Sequence, residues 1–289
     1  MKRMFIGFIL CSLLILLQIG CVDQNQGEIK GEEIRIIATS PATCQVLDKL
    51  NLDLVGIPET SRDIPQRYKG LTVVGSPMSP DMEIVKSLKP TDVIGPNSLQ
   101  EDLQLHYVNI RLNATFINLN SVQGMYKSIE DLGQKYNRVE EAKALTDEFK
   151  TYLKEFQKIN EDKIKPKVLI LMGFPGSYIV ATENSYGGSL VQLAGGVNVY
   201  SGTGKSYLNV NTEDMSKKDP DIILRTAHAL PQESMKMFDE EFQTNDIWKH
   251  FRAVKEGKVY DLDYEKFGMS AGFDYPEALE DLQKILYGN

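Results

Sequence analysis

Two residues in this chain pair ligand chemistry with an unusual setting. In GSPMSPD, Met78 lies between Pro77 and Pro80. Proline fixes φ and removes a donor, which excludes the segment from helix interiors and central strands. Methionine ordinarily fills cores, so a thioether on a stiff loop ahead of DMEIVKSL raises the question of a ligand. Met172 and Met269 also lie near predicted loops. Three histidines are also candidates for ligand chemistry: His106 in QEDLQLHYVNI, His250 in IWKHF, and His228 just beyond the apolar run DIILR. The first two fall at solvated helix or helix-edge positions. Ligands of open α/β sheets gather at the carboxyl ends of strands, which favours His228.

Other chemistries find little support. No G-x-S-x-G elbow and no metalloprotease pair of histidines occurs. SGTGKS (201–206) ends like a phosphate-binding loop, but Val199 stands where the first glycine is required. Formal net charge is −8, and leaving out Lys2 and Arg3 takes it to −10. An acidic chain without basic runs argues against nucleic acid, whose phosphates need Lys and Arg.

The elements that must position these groups alternate. EIRIIATS (33–40) predicts a buried strand, followed by Ser40 as N-cap, Pro41 as first helical residue and a helix over ATCQVLDKL. LDLVGIP predicts a strand and ETSRDIPQRYKG a loop. LTVVG leads into the Met78 loop, DMEIVKSL predicts a helix stopped at Pro90, and TDVIG a strand. KVLILMG, SLVQLAGG, TEDMSKKDP and DIILR repeat this grammar as strand, helix, helix and strand. Short apolar strands alternating with helices predict an α/β fold with parallel sheets. Glu83 precedes Pro90 by seven residues and Glu213 precedes Pro220 by seven, each followed by an Asp and an apolar strand, which predicts two related lobes. Between them, NRVEEAKALTDEFKTYLKEFQKINEDKIKP carries apolar residues at helical spacing and a capping-box-like Asn137 and Glu140. About 25 uninterrupted residues would make a rod near 40 Å long.

The N-terminus, MKRMFIGFILCSLLILLQIGC, has two positive charges, an apolar run and a final Gly-Cys. It resembles a bacterial lipoprotein signal, with Gln18 where leucine is usual. Cys21 would be the lipidated (palmitate-bearing) first residue of the mature chain. Cys11 would leave with the signal and Cys44 has no partner, so no disulfide framework is expected. The expected organisation is a signal peptide at 1–20, a flexible tether at 21–32, a first lobe at 33–136, a linking helix at 137–165 and a second lobe at 166–289.

This layout resembles the substrate-binding proteins of ABC importers for iron-siderophores, cobalamin and heme. The likeness rests on GSYIVATENSYGGSLVQLAGGVNVY (176–200), the paired E-x6-P segments and NDIWKHFRAVKEGKVYDLD (245–263). It implies the class III arrangement, two Rossmann-like lobes with parallel sheets joined by a single long helix, and binding and release rather than catalysis. GSPM, KVLILMGFPGSY and PDIILRTAH are similar, more narrowly, to the heme-binding lipoproteins of the iron-regulated surface determinant system.

That narrower resemblance implies that Met78 and His228 are the axial ligands of heme iron, a Met/His pair known in heme proteins. The cargo would then be heme b, passed from cell-wall heme-donor proteins to a permease and ATPase. The protein would sit as a lipid-anchored monomer on the outer face of a Gram-positive-type membrane. Propionates would find helix-start N–H groups and hydroxyls; Ser40, Ala42 and Thr43, with Thr60, Ser61 and Arg62, are the candidates. One exposed glutamate per lobe, Glu83 and Glu213, would dock onto the permease. The same fold with a siderophore or cobalamin is the alternative, although the only tryptophan, Trp248, lies in a predicted helix. A heme- or metal-dependent surface enzyme is a further alternative, against which two protein ligands on iron would leave no open site.

Overall fold

The computed structural model describes residues 33–228 and 230–288. The expected signal and tether, with Cys21, lie outside the described residues. Ile34–Asn289 forms one compact unit built around two separate sheets.

The first sheet has five parallel strands in the spatial order Thr72–Val73, Leu54–Ile57, Ile36–Ala38, Asp92–Pro96, Ala114–Ile117. Ile36, Ile37 and Ala38 are fully buried, as parallel strands covered on both faces require. The chain winds outward from Ile36–Ala38 and then returns to its other side at Asp92–Pro96, so the topological switch opens beside Ser40. Ser40 caps the Pro41–Lys49 helix with extended backbone (φ −148°) and accepts from the Thr43 N–H at 3.1 Å.

The second sheet centres on Lys167–Phe174, Ile222–Ala227 and Val259–Asp261, which run parallel. It is mixed rather than purely parallel. Ser177–Ala181 pairs antiparallel with Lys167–Phe174, and Tyr207–Leu208 antiparallel with Ser177–Ala181. The cause is the Pro175–Gly176 turn, which returns the chain directly as a hairpin instead of through a crossover helix.

The lobes are joined by a helix over Val139–Ile159, 21 residues and about 32 Å long. The expected capping box does not form. Asn137 takes a left-handed conformation (φ 55°), and Arg138, the N-cap residue, makes no side-chain cap. A tight turn from the Val122–Lys135 helix dictates this: Arg138 N–H donates to the Gly133 carbonyl at 2.7 Å. A Cβ on Gly133 would lie 2.5 Å from that of Ala142, so the two helices approach only because position 133 is bare.

The linking helix is more than a rod. Phe149 stacks on Tyr126 of the preceding helix (centroids 4.2 Å apart, planes 4° apart) and meets Tyr275 edge-on at 5.7 Å. Tyr275 opens the C-terminal helix Tyr275–Tyr287, so the chain crosses back from the second lobe and clamps the link. One apolar core runs through both lobes at this joint.

The paired E-x6-P segments are matched turn for turn. Met82–Ser87 is capped by Asp81 and Thr212–Lys217 by Asn211. Each buries its fourth helical residue, Val85 or Met215, completely. Each ends in a left-handed residue before the proline, Lys89 (φ 47°) and Asp219 (φ 46°).

Candidate ligand-binding cleft

Met78 occupies the turn of a small hairpin, Gly75–Ser76 paired with Ser79–Pro80. Pro77 pre-sets the first central position of that turn. Gly75 takes φ +98°, and a Cβ there would press to 3.0 Å on the Asp81 nitrogen. The base is fastened to the first sheet: Val74 N–H donates to the Ile57 carbonyl (2.9 Å), Asp81 N–H to the Val74 carbonyl (2.7 Å) and Glu59 N–H to the Gly75 carbonyl (2.8 Å). The last bond ties the hairpin to the loop carrying Thr60, Ser61 and Arg62. At its tip the Met78 side chain is 69% exposed, which is unusual for a thioether.

His228 follows the central strand Ile222–Ala227, and its N–H extends the ladder by donating to the Gly173 carbonyl at 3.0 Å. Its ring lies 5.3 Å from that of Phe174, tilted by 55°, and its surface stays open to solvent. Neighbouring protein displaces enough water to lower the imidazole's pKa, and the Arg62 guanidinium lowers it further. Both causes disfavour the charged form, so His228 holds its neutral, ligating form at neutral pH.

Arg62 is a contact between the lobes. Its Nη2 donates to the Tyr264 carbonyl at 3.2 Å, Nη1 lies 3.7 Å from the Glu265 carboxylate, and the guanidinium sits 5.8 Å from the Tyr264 ring centre. Thr60 Oγ1 accepts from the Arg62 N–H at 2.9 Å, which fixes the loop. At the switch point, the Ser40 and Thr43 hydroxyls are buried and bonded to each other at 2.8 Å. The Ala42 N–H, in the first turn, has no acceptor among the described residues. It is therefore the donor in this group best placed for an anion, while Ser61 is exposed.

The competing side chains separate by environment. Met172 is 2% exposed within the central strand and is unavailable. Met269 is half-buried and shares the second lobe with His228, so it cannot supply a ligand from the opposite lobe. His106 and His250 are exposed on the Gln100–Asn109 helix and the Asp246–His250 turn. Trp248 is sealed in the second-lobe core against Phe242. Glu83 and Glu213 are exposed at matched first turns and make no ion pair among the described residues. Sequence reasoning missed Phe174, Tyr264 and Glu265. Pro175–Gly176 was a usable signal for the first; nothing local marks the other two.

Residues 36–265 match the family model for periplasmic binding proteins. The chain belongs to the periplasmic binding protein family. It is a binding protein and not an enzyme. It is 43% identical over 264 residues to the high-affinity heme uptake system protein IsdE of Staphylococcus aureus (strain Newman), covering 91% of this chain and 90% of the relative. Among solved structures it matches S. aureus IsdE complexed with heme at a TM-score of 0.84 and 43% identity, over 88% of this chain and 99% of that one. An ABC transporter substrate-binding protein from Listeria monocytogenes EGD-e matches at 0.84 and 48% identity, over 89% and 100% of the two chains.

Proposed function

We propose that this member of the periplasmic binding protein family is the heme-binding component of an ABC importer. It captures heme b between its lobes and delivers it to a membrane permease powered by a separate ATPase. Cys21 would carry the lipid that holds it on the outer face of a Gram-positive-type membrane, where cell-wall proteins donate heme. Similarity to a protein named for heme uptake supports the cargo.

The observation that carries the reading is the setting of Met78 and His228. Each belongs to a strand-end loop, one per lobe; Met78 exposes a thioether, a group that is ordinarily buried, and His228 presents its imidazole at the end of the Ile222–Ala227 strand. Iron in heme takes one ligand on each face. A thioether carries no proton and the His228 imidazole is held neutral, so coordination displaces no proton at neutral pH. The stiff base of the hairpin restricts where Met78 points, which lowers the ordering cost of binding. Phe174 and the exposed Leu230 add apolar surface for the porphyrin. Arg62 and the Ala42 N–H would receive the propionates; the part-buried bond of Arg62 to the Tyr264 carbonyl would be exchanged for one to a carboxylate, a stronger, charge-assisted partner.

Titration of the purified protein with hemin, followed by absorption, tests the reading. One equivalent should give a six-coordinate, low-spin spectrum, and the absence of any Soret change would overturn it.

A further inference from the structure

A cavity of about 470 Å³, lined by neither Met78 nor His228, lies between the lobes. Asn118, Asn120 and Gln123 line one side, just beyond Ala114–Ile117, the edge of the first sheet opposite the strand that leads to Met78. Glu183, Gln192 and Ser206 line the other. The lobes touch here through Asn120 Nδ2, which donates to Ser206 Oγ at 3.4 Å.

The walls are chemically one-sided. The lining holds amides, hydroxyls, glycine and a single carboxylate, with no aromatic, aliphatic or cationic side chain. One Glu183 oxygen, Oε1, accepts from the Gly202 N–H at 2.6 Å and from Asn184 Nδ2 at 3.3 Å. The other, Oε2, is buried with no hydrogen-bond partner among the described residues. Buried polar atoms are nearly always paired; Oε2 itself has almost no accessible surface, so a donor from outside would meet it through a turn of the Glu183 carboxylate toward the cavity it lines. Gly202, Gly204 and Ser206 belong to SGTGKS, and the Gly202 N–H here holds Glu183 rather than a phosphate.

We propose that this cavity is a second ligand site, independent of the heme reading, for a monosaccharide-sized, hydroxyl-rich molecule bearing an ammonium group. The ammonium pairs with Glu183 Oε2, and the hydroxyls meet the Asn120, Gln123 and Gln192 amides. Anions are excluded by the lone carboxylate without a balancing cation, and apolar ligands by the polar walls. The volume falls within the range of small-molecule sites.

The test is an NMR titration of the full heme-free chain with glucosamine, glucose and N-acetylglucosamine, under mildly acidic conditions that keep the amine charged. Glucosamine should give saturable shifts in the Asn120 and Gln192 side-chain amides. The two neutral sugars should bind roughly tenfold more weakly, since they lack the charge-assisted bond. Glu183→Gln should bring glucosamine down to the level of glucose. Gln192→Arg, at an exposed helix position, should abolish glucosamine binding by supplying Glu183 with an internal cation. Absence of saturable shifts would overturn the proposal, as would an unchanged glucosamine preference in Glu183→Gln. If that variant loses amide dispersion, Gln192→Arg decides alone, and retained glucosamine binding overturns the site.

Discussion

Arg62 of the first lobe donates to the Tyr264 carbonyl of the second at 3.2 Å, and the same guanidinium depresses the pKa of His228. One side chain therefore bridges the lobes and biases the protonation of the residue proposed to hold iron.

His228→Ala should lower heme affinity at least tenfold or leave a five-coordinate spectrum, because its imidazole occupies one face of the iron. Met78→Ala should give a milder loss and a change of spin state. His106→Ala and His250→Ala, at exposed positions of the Gln100–Asn109 helix and the Asp246–His250 turn, should leave the titration unchanged. Equal losses in all histidine variants would remove the ligand assignment.

The pH dependence has a definite sign. A histidine whose folded pKa lies below its ordinary value of about 6.5 favours the neutral form. Its contribution to stability is fully present above that ordinary value and is lost as pH falls through the lower folded value. Heme affinity should follow the same course: flat at neutral pH and above, falling only in more acid solution. A decline beginning at or above the ordinary value would contradict the depressed pKa.

Arg62→Ala should raise the His228 pKa part of the way, since desolvation, the larger cause, persists. Imidazole titration by NMR would read this directly. A midpoint unmoved by the substitution would mean that the two side chains do not feel one another.

Reversing Glu83 and Glu213 to lysine should leave hemin titration intact while uptake through the transporter falls. Each lysine at a helix start costs only about 0.3–1 kcal/mol of stability. Unaltered uptake in cells carrying the double variant would dispose of the docking role.

Phe149→Ala should destabilise the protein by roughly 3–5 kcal/mol, since a 5%-exposed ring that meets both Tyr126 and Tyr275 is lost. Denaturant unfolding would check this. A change under 1 kcal/mol would mean the joint can collapse around the gap.

Much of the frame was legible because it is locally encoded. Ser40–Pro41 announces a helix start, and the E-x6-P repeat returned side-chain N-caps, buried fourth residues and left-handed ends in both lobes. Local signals failed where a distant or competing contact decided. Asn137 reads as a cap, but the tight helix–helix turn at Gly133 forces it left-handed. KVLILMG reads as a strand without a direction, and the antiparallel Ser177–Ala181 strand that the Pro175–Gly176 turn sets beside it goes unread. At the site, strand-end position singled out His228, yet Tyr264 stands 202 residues from its Arg62 partner, a separation no window in the chain can span.

The C-terminal helix that returns to grip the link has a consequence for how cargo comes and goes. Swinging the halves apart would shear the Tyr126, Phe149 and Tyr275 rings out of register. On the proposed reading, traffic through the mouth would instead be managed by its small fittings: a four-residue tip bearing a sulfur, and a guanidinium that lets go of one backbone oxygen.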